Sequence, residues 1–134
     1  MIRFAQFLSA MFVLVLGGAG LTTMFSPMSI NEASGFIAVS DYGITNLRTL
    51  GAPTLALAII TGIGLIRRDW LLILPASMYF FFNGSARVVS LFSEQYDPIM
   101  IRGLILTFGL FLLSQIALHI FRKANTSLRD AVQN

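Results

Sequence analysis

An all-α, polytopic integral membrane protein of four transmembrane helices is the fold class this sequence predicts, and two observations predict it. Of its 134 residues, 56% are hydrophobic and 11% charged, with a mean hydropathy of +0.80, whereas an ordinary soluble domain is about one quarter charged. The apolar residues also gather into four runs, each near the roughly 20 residues that cross a hydrocarbon core of about 30 Å. In lipid each run must be helical, because only internal hydrogen bonds can satisfy its backbone. Four spans and their connections use up the chain, so one membrane domain over residues 1–134 is expected, with no separate soluble domain.

The first run, from about residue 4 to 25, follows Arg3 and carries G-G-A-G near its end. It is longer than the roughly 7–15 apolar residues of a signal-peptide core, so it is expected to be a span and not a cleaved leader. The second covers about 46–66, the third 70–92 and the fourth 99–121. Pro98 suits a first helical turn, where its missing N–H is of no consequence. Pro53 and Pro75 fall inside the second and third runs, where a membrane helix tolerates proline if its neighbours satisfy the freed carbonyls. The one long connection, residues 26–45, contains Ser29-Ile-Asn-Glu32, which fits a capping box, and Ile30, Ala33, Phe36 and Ile37 share a helical face. Two structures suit it: a short helix lying in the outer interface, or an ordered loop packed on the helices.

Four crossings put both termini on one side. Arg3, Arg67, Arg68, Arg122, Lys123 and Arg129 then share a side, while Arg48, Arg87 and Arg102 share the other with Glu32, Asp41, Glu94 and Asp97. The excess of Lys and Arg marks the first side as cytoplasmic. Both termini are therefore expected on the cytoplasmic side, with Trp70 at the inner interface and Tyr96 at the outer one.

The formal charge of +3 and pI near 10.0 do not imply nucleic acid, because the nine Lys and Arg are scattered singly or in pairs and form no basic face. Absence of cysteine excludes disulfides, thiolate nucleophiles and cysteine metal sites, and a single histidine excludes an imidazole cluster. No catalytic residues, metal or cofactor are expected. The expected partners are the lipid bilayer and other membrane subunits.

The third run reads M-Y-F-F-F-N-G-S-A-R-V-V-S-L-F over 78–92. Asn83, Arg87, Ser90 and Glu94 fall at i, i+4, i+7 and i+11, with Tyr79 a turn earlier, and so make one polar stripe on a helix. Seventeen residues from Trp70, at about 1.5 Å each, place Arg87 about 25 Å along the helix, near enough to the outer edge of the core to snorkel. Arg48 and Arg102 are expected near the outer N-termini of the second and fourth helices, where a cation opposes the helix dipole. One explanation is a network of salt bridges to Glu32, Asp41, Glu94 and Asp97. The sharper alternative is an anion site for a lipid phosphate or an acidic solute, built from Arg48, Asn83, Arg87 and Arg102 with Glu32 and Glu94 nearby; a proton or ion pathway is a third.

Small residues predict where helices approach closely. Ala10, Val13, Gly17, Gly20 and Met24 repeat at three and four residues in the first run, Thr54, Ala58, Thr61 and Gly62 in the second, and Gly103, Thr107 and Ser114 in the fourth. Internal packing is their expected use, and lipid contact that of Phe80, Phe81 and Phe82. Gln115, His119 and Arg122 share a face near the inner end, and His119 is expected to be a hydrogen-bonded interfacial residue and not a ligand or relay.

N-L-R-T-L-G-A-P at 46–53 and F-N-G-S-A-R-V-V-S-L-F at 82–92 resemble a group of small bacterial membrane proteins catalogued as domain of unknown function 4345. In that group an arginine lies near the start of the second helix and Arg-x-x-Ser-Leu near the end of the third, matched by Arg48 and by Arg87, Ser90 and Leu91. The resemblance implies a four-helix bundle in a bacterial membrane, expected to be the inner membrane, and supplies no reaction. The expected function is a non-enzymatic accessory subunit that stabilises a larger membrane complex; the alternative is a small carrier or a lipid- or anion-binding protein using the outer arginines.

Overall fold

The computed structural model describes residues 1–31, 39–95 and 97–133, with side chains described outside 30, 31 and 127–133. Five helices account for nearly all of them: α1 (Ile2–Phe25), α2 (Pro27–Asn31), α3 (Asp41–Arg67), α4 (Trp70–Ser93) and α5 (Pro98–Gln133). No strand occurs among the described residues.

Local chemistry sets the helix ends. Ser40 opens α3, its hydroxyl accepting the Gly43 N–H at 3.1 Å, and Asp41 adds negative charge to the first turn. The helix therefore begins at Asp41 and not near Asn46 as hydropathy suggests, because a capped first turn need not be apolar. Arg48 is accordingly well inside α3, clear of the first-turn dipole expected to oppose it. Asp69 caps α4 by accepting the Leu71 N–H at 3.0 Å, and Asp97 accepts the Ile99 N–H at 2.8 Å ahead of α5. Arg68 closes α3 in the left-handed region, with φ 55°, while the Asp69 N–H bonds back to the Gly64 carbonyl at 3.0 Å. Pro53 and Pro75 lie inside α3 and α4 without ending them.

Two expectations change here. α5 runs beyond Phe121 to Gln133, because R-K-A-N-T-S-L-R-D-A-V-Q contains no glycine or proline and the end of an apolar run is not the end of a helix. Ser29 does not cap a helix; it lies within α2, which Pro27 opens, and its hydroxyl donates to the Ser26 carbonyl at 2.8 Å. Glu32, the proposed interfacial face through Ile37, and Tyr96 lie outside the described residues.

The four long helices pack as a ring in which α1 adjoins α3 and α5, and α4 adjoins α3 and α5. Ala5, Ile73, Leu118 and Phe121 form one buried cluster, which sets the starts of α1 and α4 level with α5 near Phe121. The larger cluster, including Leu8, Phe12, Leu16, Ala58, Ala76, Phe80 and Ala117, fills the middle. Phe12 and Phe80 meet across it with ring centroids 5.7 Å apart. Phe80 is therefore core, whereas Phe81 and Phe82 face outward as expected for lipid contact.

Glycines set the closest approaches. At the α1–α3 crossing a Cβ on Gly51 would lie 2.6 Å from the Gly20 carbonyl oxygen, and one on Gly20 would lie 2.8 Å from the Leu55 nitrogen. Only hydrogen fits between these backbones. Gly17 faces Ala58 in the same seam, so the small residues of the first two apolar runs do serve internal packing.

The helices Ile2–Phe25, Asp41–Arg67 and Pro98–Thr126 are long and apolar enough to cross a membrane. α4 has 24 residues, like α1, but Asn83, Gly84, Ser85 and Arg87 interrupt it, so that its most apolar stretch is less apolar than those of the other three. The described residues thus hold three helices of this kind, within an all-helical chain suited to a membrane.

Candidate functional site

Arg87 and Asn83 occupy successive turns of α4, and the Arg87 Nε donates to the Asn83 Oδ1 at 3.2 Å. The guanidinium crosses to α5 and lies over Gly103, where a Cβ would come 3.0 Å from its Cζ. Gly103 thus opens the space that lets an arginine cover the neighbouring helix. One turn deeper, Gly84 does the same for an aromatic ring, with the edge of Phe108 3.1 Å from where its Cβ would be. The α4–α5 seam is shaped by two glycines on opposite helices.

The rest of the expected stripe does not join this pair. The Ser90 hydroxyl donates to the Ala86 carbonyl at 3.3 Å, and the Ser85 hydroxyl to the Phe81 carbonyl at 2.9 Å, so both close on their own helix. Glu94 is exposed at the end of α4. Arg48 and Arg102 are exposed on α3 and α5, and neither makes a hydrogen bond to Asn83 or Arg87.

Among the described residues, Arg48, Arg87 and Arg102 form no ion pair with Asp41, Glu94 or Asp97. Asp97 is used instead to cap α5. Glu32 lies outside the described residues. What the structure assembles is one oriented guanidinium, held by an amide and a glycine-shaped seat, with two further exposed arginines on the adjoining helices.

At the opposite end of the molecule, the expected face of Gln115, His119 and Arg122 divides. The Gln115 Nε2 donates to the Ser77 hydroxyl at 2.8 Å, the Arg122 guanidinium stacks 5.6 Å from the centroid of the Trp70 ring, and His119 is exposed without a hydrogen bond among the described residues. Ser77 is buried and 2.7 Å from the Ser114 hydroxyl, which also bonds the Phe111 carbonyl at 2.6 Å. This polar link across α4 and α5 is not legible in the sequence, since a serine in an apolar run gives no sign of its partner. Ser114 was readable there only as a small packing residue.

Compared with protein-family models, curated proteins and solved structures, the chain matches none.

Proposed function

We propose that this chain is a non-enzymatic, four-span protein of a bacterial inner membrane that packs against a larger membrane complex as an accessory subunit. The observation that supports this most is the set Arg48, Arg87 and Arg102, exposed and without a carboxylate partner among the described residues. A guanidinium at the margin of an apolar core is stabilised by a counter-charge. An acidic face on a neighbouring subunit supplies that charge in this reading.

α4 is the fourth span. Its outward residues Leu71, Met78, Phe81, Phe82, Val89 and Phe92 are large and apolar, and its half-buried Asn83 and Ser85 bond within the helix. Both termini are then cytoplasmic, with Arg3, Arg67, Arg68, Arg122 and Lys123 on the inner side. The resemblance of 46–53 and 82–92 to the small bacterial family of unknown function agrees with this arrangement. Native mass spectrometry of the protein extracted in mild detergent tests the function. Co-isolated subunits, released when Arg48, Arg87 and Arg102 are changed together to Glu, are expected; a lone monomer or a pure homo-oligomer overturns it.

A second reading is favoured by the Asn83–Arg87 bond, which orients the guanidinium as a ligand-binding group would need. There the arginines bind a lipid phosphate or small acidic solute. Arg87→Ala would then lose the bound anion and keep the fold, because a single exposed pair on one helix contributes only about 0.2–0.5 kcal/mol. Lipid and solute analysis of the purified variant, alongside its circular dichroism, checks this; unfolding without any lost anion counts against it.

A further inference from the structure

Near the α3–α4 turn, at the end remote from Arg87, three open concavities run together along α4 and α5. The widest has a volume of about 720 Å³ and is lined by Arg67, Asp69, Trp70, Arg122 and Asn125 among others. A narrower groove of about 220 Å³ shares Trp70 and Arg122 with it and is lined besides by Leu74, Leu118, Gln115 and His119. A third, of about 290 Å³, shares Arg122 and adds His119 and Lys123. Arg122 belongs to all three.

Its position is fixed by the Trp70 ring, 5.6 Å from the guanidinium carbon. Stacking on a ring face leaves the N–H edges of a guanidinium free to donate. α5 is also tied to the α3–α4 turn here, the Asn125 Nδ2 donating to the Arg68 carbonyl at 3.3 Å. Asp69 is the acid in the lining, and one of its oxygens already accepts the Leu71 N–H. No ion pair joins Asp69 to Arg67 or Arg122 among the described residues.

We propose that this groove binds an anionic glycerophospholipid, with Arg122 and Arg67 donating to the phosphate and an acyl chain lying between α4 and α5 along Leu74 and Leu118. The arginine fork matches phosphate oxygens in pairs. Tryptophan belongs at headgroup level, and basic clefts between membrane helices suit acidic headgroups. A free phosphate would fill only the end beside Arg122, whereas the cleft continues past Gln115 and His119 to Leu74 and the edge of Leu118, offering an amphiphile both polar and apolar contacts. The site is separate from Arg48, Arg87 and Arg102, so it stands or falls independently of the proposed function.

The test uses the full chain in a neutral detergent, with thermal unfolding and native mass spectrometry after addition of phosphatidylglycerol, phosphatidylcholine of the same acyl chains, or inorganic phosphate. Phosphatidylglycerol is expected to raise Tm more than phosphatidylcholine and to remain bound in the gas phase. Arg122→Gln should weaken its retention by about tenfold or more, the loss of a charge-assisted phosphate contact. Arg67→Gln should weaken it less. Leu74→Trp, which fills the narrow groove without altering a charged residue, should also displace the lipid, and with Arg67→Gln it carries the test if Arg122→Gln does not fold. Equal stabilisation by both lipids, or selectivity unchanged in the folded variants, overturns the proposal. A shift from inorganic phosphate as large as that from phosphatidylglycerol overturns the lipid assignment in favour of a free-anion site.

Discussion

Ser9 on α1 and Ser77 on α4 are both buried, yet their surroundings give the same substitution opposite signs. The Ser9 hydroxyl has no hydrogen-bond partner among the described residues, whereas Ser77 meets both Ser114 and Gln115. A buried polar group left unpartnered costs about 1–3 kcal/mol. Ser9→Ala should therefore leave stability unchanged or raise it, and Ser77→Ala should lower it by about 1–2 kcal/mol. Thermal unfolding in detergent decides; a Tm loss for Ser9→Ala equal to that for Ser77→Ala would sink the idea. Gly103 offers a second residue-scale prediction. Alanine is about 1 kcal/mol better than glycine inside a helix, and the atoms its Cβ would meet are the flexible end of Arg87. Gly103→Ala should keep or raise Tm while pushing the guanidinium off its seat, so that it mimics Arg87→Ala in partner or anion retention. Retention equal to that of the unaltered protein would show that the seat is irrelevant.

Between elements, the α1–α3 seam is the contact most sensitive to volume. A methyl group on Gly20 or Gly51 meets backbone atoms, which cannot swing aside as a side chain can. Gly51→Ala and Gly20→Ala should each force the helices apart and cost about 1–3 kcal/mol, as overpacking does. Gly18 is in the same G-G-A-G stretch, but a Cβ there would have nothing within 4 Å of it, so Gly18→Ala should be neutral or mildly stabilising. Comparing Tm across the three variants separates close packing from simple glycine content. Three equal shifts would rule out close packing as the cause. The spacing of Gly17, Gly20 and Ala58 made a small-residue seam legible in the sequence. It did not reveal that Gly51 is the point of contact, because which glycine meets which backbone depends on the crossing.

For the whole molecule, the sharpest expectation concerns α4. The chain has no cysteine, so single cysteines can report sidedness against an empty background. If α4 crosses the membrane, Arg67→Cys before it and Gln95→Cys after it should react with an impermeant maleimide from opposite faces of sealed vesicles. On the proposed topology the Arg67 side is the cytoplasmic one. Labelling of both from the same face would leave α4 outside the set of crossing helices.

Composition and the length a lipid core demands were enough to establish the membrane-type character of the chain, its four long helical segments and the uneven spread of its charges. None of these depends on how the helices meet. Helix limits at Ser40 and beyond Phe121 lay outside the reach of that reading, since polar turns and water-exposed turns carry no apolar signal. The packed structure was needed to show that Arg87 turns to Asn83 and Gly103 while no carboxylate among the described residues pairs with it, that Gln115 reaches Ser77, and that Arg122 stacks on Trp70. Each of these is a choice between partners of similar chemistry. Sequence spacing puts such residues on a shared face; the crossing of two helices determines which of them come within bonding distance.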